Sequence, residues 1–155
     1  MAQLTPEEIQ KGIEATTAKV ERYLRKMGTY EVVGGDTYRF RGESTVVTIR
    51  VQTFSSGAPF VRVLAPVLRE VKKAGNEAMF EEFSKLNSDS VIGKIYWEEN
   101  RDTPGFGFIF AEHNLLGEFL DYEELLAAVQ VIIGSADDLD DRLQAKYGGK
   151  RWIDS

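Results

Sequence analysis

The only histidine of the chain, His113, stands beside a carboxylate in the run Glu112-His113-Asn114. An imidazole next to a carboxylate can act as a general base, or the two can share a metal ion. Both uses need further groups. The sequence holds no cysteine and no second histidine, so a transition-metal site lacks its usual ligands. The plain alternative is a solvated histidine just past the end of a strand. The acidic run Asp137-Asp138-Leu139-Asp140-Asp141 offers the hard oxygens that calcium and magnesium prefer. On a helix, however, consecutive side chains diverge by about 100°. Only Asp137 and Asp141 then share a face, and no glycine-centred calcium loop surrounds them. The spacing predicts a solvated polar face with Asp138 paired to Arg142.

The glycines give as little. Gly34-Gly35 is followed by aspartate and a strand pattern, whereas a phosphate-binding loop opens a helix and carries a Lys-Ser/Thr pair. Gly105-Phe106-Gly107 has part of a dinucleotide fingerprint but continues as strand. There is no Gly-x-Ser-x-Gly elbow, and no nucleophile is indicated for a triad built on one histidine. Catalysis has little to stand on.

These residues must be positioned by regular elements, and the dominant one runs from Asp121 to Tyr147. Its apolar residues, from Tyr122 and Leu125 through Ile132 to Leu143, repeat at three and four, which only an α-helix turns into one stripe. Asp121 with Glu124 forms a capping box, and Gly148-Gly149 ends the helix. Thr5-Pro6-Glu7-Glu8 opens an N-terminal helix that Gly28 closes. Tyr30 to Gly34 and Thr37 to Arg41 predict two short strands around a tight turn. Thr45 to Phe54 alternates as a half-buried strand, and Phe60 to Leu64 makes a further strand before Pro66. A short central helix lies between Lys72 and Asn87, capped by Asn76 and broken at Asn87-Ser88-Asp89-Ser90. Val91 to Trp97 and Phe106 to Ala111 then form a hairpin around Asn100–Gly105. The expected fold is α+β, an antiparallel sheet packed by an N-terminal helix, a short central helix and a long C-terminal helix. No repeat or linker divides it, so one domain over residues 1–155 is expected.

The second hairpin is unusually aromatic. Phe106, Phe108 and Phe110 project from one strand face, with Gly107, Ile109 and Ala111 on the other, and Tyr96 and Trp97 divide likewise. One set is expected to pack on the long helix. The other lies under the first helix, across a dimer contact, or against a partner chain. Composition narrows the partners. A formal net charge of −6 repels polyphosphates and anionic lipid, which argues against nucleic acid. The opening residues lack a signal-peptide pattern, and no apolar run suits a bilayer span. A cytoplasmic protein is expected.

The run Phe83-Ser84-Lys85-Leu86-Asn87, the strands Ile92-Tyr96 and Phe106-Ala111, the Leu115-Leu116 pair and a last helix with Ala136-Asp137 near its middle resemble the YbjN-like proteins. These share a fold with type III secretion chaperones (TY-Chap), in which a Leu-Asn pair likewise ends the central helix before a hairpin and a closing helix. The resemblance covers Asn76 to Tyr147, and the extra strand before Pro66 suits the YbjN-like branch. It implies a small, acidic, often dimeric module that binds protein or peptide segments and has no established catalytic residues.

The sequence therefore predicts a non-enzymatic, chaperone-like binding module, in which Trp97, Phe106, Phe108 and Phe110 contact the partner. A protein or peptide partner and a homodimer are expected, with no cofactor, no metal, no nucleic acid and no membrane. A rival from another class is a small-molecule binder or enzyme using a pocket between the C-terminal helix and the sheet, with Glu112 and His113 at its rim. A third possibility is a regulatory subunit that docks to a larger enzyme.

Overall fold

A computed structural model describes residues 3–154. Met1, Ala2 and Ser155, which belong to the expected domain span and to the reading of the chain start, lie outside the described residues. Helix α1 (Pro6–Met27) begins with a reciprocal cap: Glu8 N–H donates to Thr5 Oγ1 at 3.3 Å, and Thr5 N–H donates to the Glu8 carboxylate at 2.8 Å. Strands β1 (Glu31–Gly34), β2 (Thr37–Arg41), β3 (Val46–Thr53) and β4 (Pro59–Lys72) form a meander. Helix α2 (Ala78–Asp89), the hairpin β5 (Lys94–Glu99) and β6 (Phe106–Leu116), and helix α3 (Tyr122–Tyr147) follow. All pairings are antiparallel in one six-stranded sheet of order β1-β2-β3-β4-β6-β5. Among the described residues, no helix is long and apolar enough to cross a membrane.

The three helices lie on the same face of this sheet. Tyr38, Val47, Ile49, Val51, Val61, Val63, Ala65, Ile95, Ile109 and Ala111 point to that face, where they meet Val20 and Leu24 of α1, Met79 and Phe83 of α2, and Leu125, Val129, Ile132 and Leu143 of α3 in one cluster. Each valine, leucine, isoleucine, methionine or phenylalanine among them, taken from water, stabilises the fold by roughly 1.5–3 kcal/mol. Helix α2 is pinned to α3 through Glu82, which accepts from the Tyr147 hydroxyl and pairs with Lys146 Nζ at 3.1 Å and Arg142 at 3.4 Å. The first-helix alternative for the second aromatic set is therefore overturned, because α1 packs beside α3 instead of behind the sheet.

Several expected boundaries shift. Strand β4 does not stop before Pro66 but runs on to Lys72. Pro66 is tolerated because the register slips immediately after it, and the missing N–H falls where the ladder is already interrupted. At this bulge both Val67 and Leu68 are buried. Val91, expected in a strand, is 97% exposed, and β5 starts only at Lys94. Helix α2 has Glu77 at its N-cap, not Asn76, whose side-chain amide donates instead to the carbonyls of Lys72 and Tyr147. It also continues through Asn87 to Asp89. From that last turn Asn87 bonds Ile95 twice: its Oδ1 accepts from Ile95 N at 2.7 Å, and its Nδ2 donates to Ile95 O at 3.0 Å. The asparagine ending the Leu-Asn pair thus stands in for a strand neighbour at the sheet edge.

Candidate functional site

Because every helix is on one side, no helix covers the other face of the sheet; at its β2 end the C-terminal segment reaches it, with the Arg39 guanidinium 5.7 Å from the Trp152 ring. On β6 this face holds Phe106, Phe108, Phe110, Glu112, Asn114 and Leu116, and on β5 it holds Lys94, Tyr96 and Glu98. Phe108 and Phe110 stack with centroids 5.3 Å apart, and the Tyr96 ring lies 5.8 Å from Phe110. Phe106, at the strand start, is 42% exposed. Trp97 belongs to the opposite face. It packs on α2 with its ring 6.4 Å from Phe80 and donates from Nε1 to the Val71 carbonyl at 3.1 Å. Strict alternation along β5 separates it from Tyr96 and from the three phenylalanines. Gly107 is required here for contact. A Cβ on it would lie 2.8 Å from the Trp97 ring and collide with the Glu98 carbonyl.

Beside the aromatic patch sits a buried carboxylate. Glu112 is 1% exposed and accepts from the Tyr96 hydroxyl and, at 2.9 Å, from Asn114 Nδ2. Lys94 Nζ and Arg62 Nε each lie 3.4 Å from its Oε1. Burial pushes the Glu112 carboxyl up, but the two hydrogen bonds and the two cations together outweigh it and hold the group below the usual carboxylate value. Burial first, then the bond to Glu112, pushes the Tyr96 hydroxyl well above its usual value. Glu112 therefore stays ionised at neutral pH and serves as a structural anion, its oxygens engaged within the sheet. Sequence reasoning placed it at a pocket rim. What it missed is that four partners on three different strands converge on it, a tertiary fact with no local signature.

His113, one residue on, points the other way. It lies inside β6 opposite Val63, not past the strand end, and its Nδ1 accepts from Gly93 N at 3.1 Å. Glu112 and His113 thus occupy opposite faces of one strand and cannot act on a common substrate or share an ion. The grooves between α3 and the sheet do exist. One of about 330 Å³ is walled by Leu86, Ile95, Ile132 and Leu139, and one of about 420 Å³ includes His113, Leu115 and Ala128. Neither contains Glu112.

The acidic run on α3 is a solvated face only in part: Asp138 and Asp141 are exposed, whereas Asp137 and Asp140 are not. Asp137 accepts from Glu43 N, Ser44 N and Ser44 Oγ, each at 2.9 Å, and so clamps the β2–β3 loop. Gly42 lets this loop close on the helix, since a Cβ there would lie 2.7 Å from Asp137 Oδ2. Asp140 is buried, and Arg142 pairs with Glu82 rather than Asp138. Among the described residues, no group of three or more histidine, aspartate or glutamate side chains is placed to hold a metal ion.

At the other end of the helix-free face, Arg50 of β3 is directly opposite Arg62 of β4. Thr37, Thr48, Arg50, Gln52, Arg62 and Leu64 floor a basin of about 430 Å³ that the β1–β2 turn closes at Val33–Asp36. Arg62 Nε is close to Glu112 but misaligned for a hydrogen bond, and both it and Gln52 Oε1 are buried without a partner. Period-two alternation put Arg50 and Gln52 on one face of β3 at once, but the cross-strand register that sets Arg62 opposite Arg50 was not legible.

The architecture just described is shared with secretion chaperones and their relatives. Over 83% of this chain and 91% of the other, it superposes on YbjN from E. coli, described as a proposed transcription regulator, with a TM-score of 0.58 at 12% identity. It likewise matches a chain of the HopA1–SchA chaperone–effector complex over 80% of this chain and 91% of that one, with a TM-score of 0.55 at 9% identity. No curated protein matches by sequence. Residues 14–155 match the family model TY-Chap1, described as T3SS (YopN, CesT) and YbjN peptide-binding chaperone 1, and the chain belongs to that family.

Proposed function

We propose that the protein is a non-enzymatic, chaperone-like module that holds an extended segment of a partner protein against the helix-free face of its sheet. The observation that carries this reading is the stacked patch of Phe108, Phe110 and Tyr96 on a face that no helix covers. Contiguous aromatic surface of this kind serves contact with another chain more than it serves the core. The peptide-binding description of the family supports the same use. Phe106, Phe108 and Phe110 are then contact residues, and Trp97 braces them from the covered side.

The test is capture of peptides from a displayed library of random linear sequences. Phe108→Asp weakens that capture by more than about tenfold, as expected when a large aromatic worth about 2 kcal/mol is lost from an interface, while thermal unfolding stays close to that of the wild type. Unchanged capture together with lost folding would assign the ring to the core.

In the same reading the chain works as one domain in the cytoplasm and assembles as a homodimer. Light scattering then gives a mass near twice the 17.5 kDa of the chain. The same reading includes a regulatory role, in which a segment held on the sheet is withheld from other partners.

A further inference from the structure

Along β4 the helix-free face presents Phe60, Arg62, Leu64 and Pro66, and β6 sets Leu116, Asn114, Glu112 and Phe110 against them in register. Apolar groups stand at both ends of this double row, with charge in the middle. At one end the rings of Phe54 and Phe60 lie 4.6 Å apart, beside Leu116, which is 57% exposed. At the other end is the Tyr96–Phe108–Phe110 patch.

The charge in the middle is unbalanced. Like charges directly opposite on neighbouring strands destabilise the pair, yet Arg50 faces Arg62 across β3 and β4. The nearest carboxylate does not resolve this. Glu112 is already held by Tyr96, Asn114 and Lys94 and reaches only Nε of Arg62, leaving the outer guanidinium nitrogens unused. Arg50 is exposed and forms no ion pair among the described residues. Asp36 lines the same basin, but among the described residues it forms no ion pair with either arginine, so Arg62 has only its contact to Glu112 and Arg50 has none. On a chain of net charge −6, this under-compensated guanidinium pair at the floor of a basin is a local reversal of the average. A carboxylate lying between Arg50 and Arg62 would satisfy both forks at once, in the geometry that arginine favours.

We propose that the segment bound on this face is acidic in its middle and apolar at both ends, with one side-chain carboxylate seated between Arg50 and Arg62. Its apolar anchors rest on the Phe54–Phe60 patch and on the Tyr96–Phe110 patch. This rests on the peptide-binding reading above and specifies its ligand. Phe60 and Pro66 are six residues apart on β4, about 20 Å at 3.3 Å per residue. An extended segment following β4 therefore carries its apolar anchors about six positions apart, with the acid about two positions from the anchor over Phe60.

Selection from the random-peptide library tests both statements and separates them. Enriched peptides are expected to carry glutamate or aspartate between two apolar residues. Arg50→Glu, a change at an exposed position, should weaken such a peptide about tenfold or more in a fluorescence titration. Glu112→Gln, which releases Arg62 from its only carboxylate, should tighten it a few-fold. Raising the salt concentration should weaken it, as for a partly exposed ion pair. Apolar peptides enriched without acidic residues, and insensitive to Arg50→Glu but lost in Phe108→Asp, would overturn the acidic specificity and leave peptide binding intact. No enrichment at all, or a doubled mass that Arg50→Glu returns to that of a single chain, would overturn both.

Discussion

Phe108 and Ile109 are neighbours on β6 that point to opposite sides of the sheet, and their surroundings share almost nothing. Ile109 has no exposed surface and lies among aliphatic side chains from several strands and helices. Phe108 is half-buried, stacks on another ring and has Glu98 as its partner across the strands. The covered face uses one kind of interaction, close apolar packing, and tolerates only side chains that fill it. The open face mixes aromatic rings, guanidinium groups and carboxylates, of which Glu112 is buried and Glu98 exposed. That mixture is a poor core and a serviceable recognition surface.

Substitutions that cross this divide should separate stability from binding. The largest effect is expected for Trp97→Ala, which removes the ring against Phe80 and the bond to the Val71 carbonyl. Urea titration should show a loss of about 3 kcal/mol, whereas Phe108→Asp on the other side should stay within about 1 kcal/mol. Equal losses would mean that the two faces are not distinct. Next comes Asp137→Ala, which frees three donors of the β2–β3 loop. A loss of about 2 kcal/mol is expected, with faster amide exchange confined to residues 42–45.

The smallest stability effect, and the one most specific to the open face, concerns Glu112→Gln. It should cost about 1 kcal/mol at neutral pH, because Arg62 and Lys94 remain partly solvated when their carboxylate is neutralised. The pH dependence has a definite sign. The folded state holds the Glu112 carboxyl below its usual value, so its contribution is complete above the unfolded value of about 4.3 and fades as pH falls through the folded one. Wild type and Glu112→Gln should therefore converge in stability in acid. A gap that persists there would show that packing rather than charge is responsible.

The element order, the two capping boxes and the tight turn after Gly34 were legible because each is encoded within a few residues. Thr5 with Glu8 and Asp121 with Glu124 have only one local use, and the structure gives them that use. What escaped is contact at a distance. Nothing near Glu112 in the chain announces Arg62, and nothing near Asp137 announces Ser44. The grouping of Trp97 with the three phenylalanines shows the same limit, since alternation separates Tyr96 from Trp97 but only the register with β6 decides which of the two shares the phenylalanine face. The strand from Phe60 was expected to end before Pro66, whose missing N–H would break a ladder. A bulge placed next to it removed that objection.

Strand β4 sits between β3, its neighbour in sequence, and β6, which is joined to it through α2 and β5. During synthesis the first four strands leave the ribosome before β6 exists. For that interval a 14-residue edge rich in valine has no neighbour on one side, the condition under which chains stick to one another. Slowing translation between Lys72 and Phe106 should accordingly lower the yield of native protein while leaving the melting temperature of the survivors unchanged.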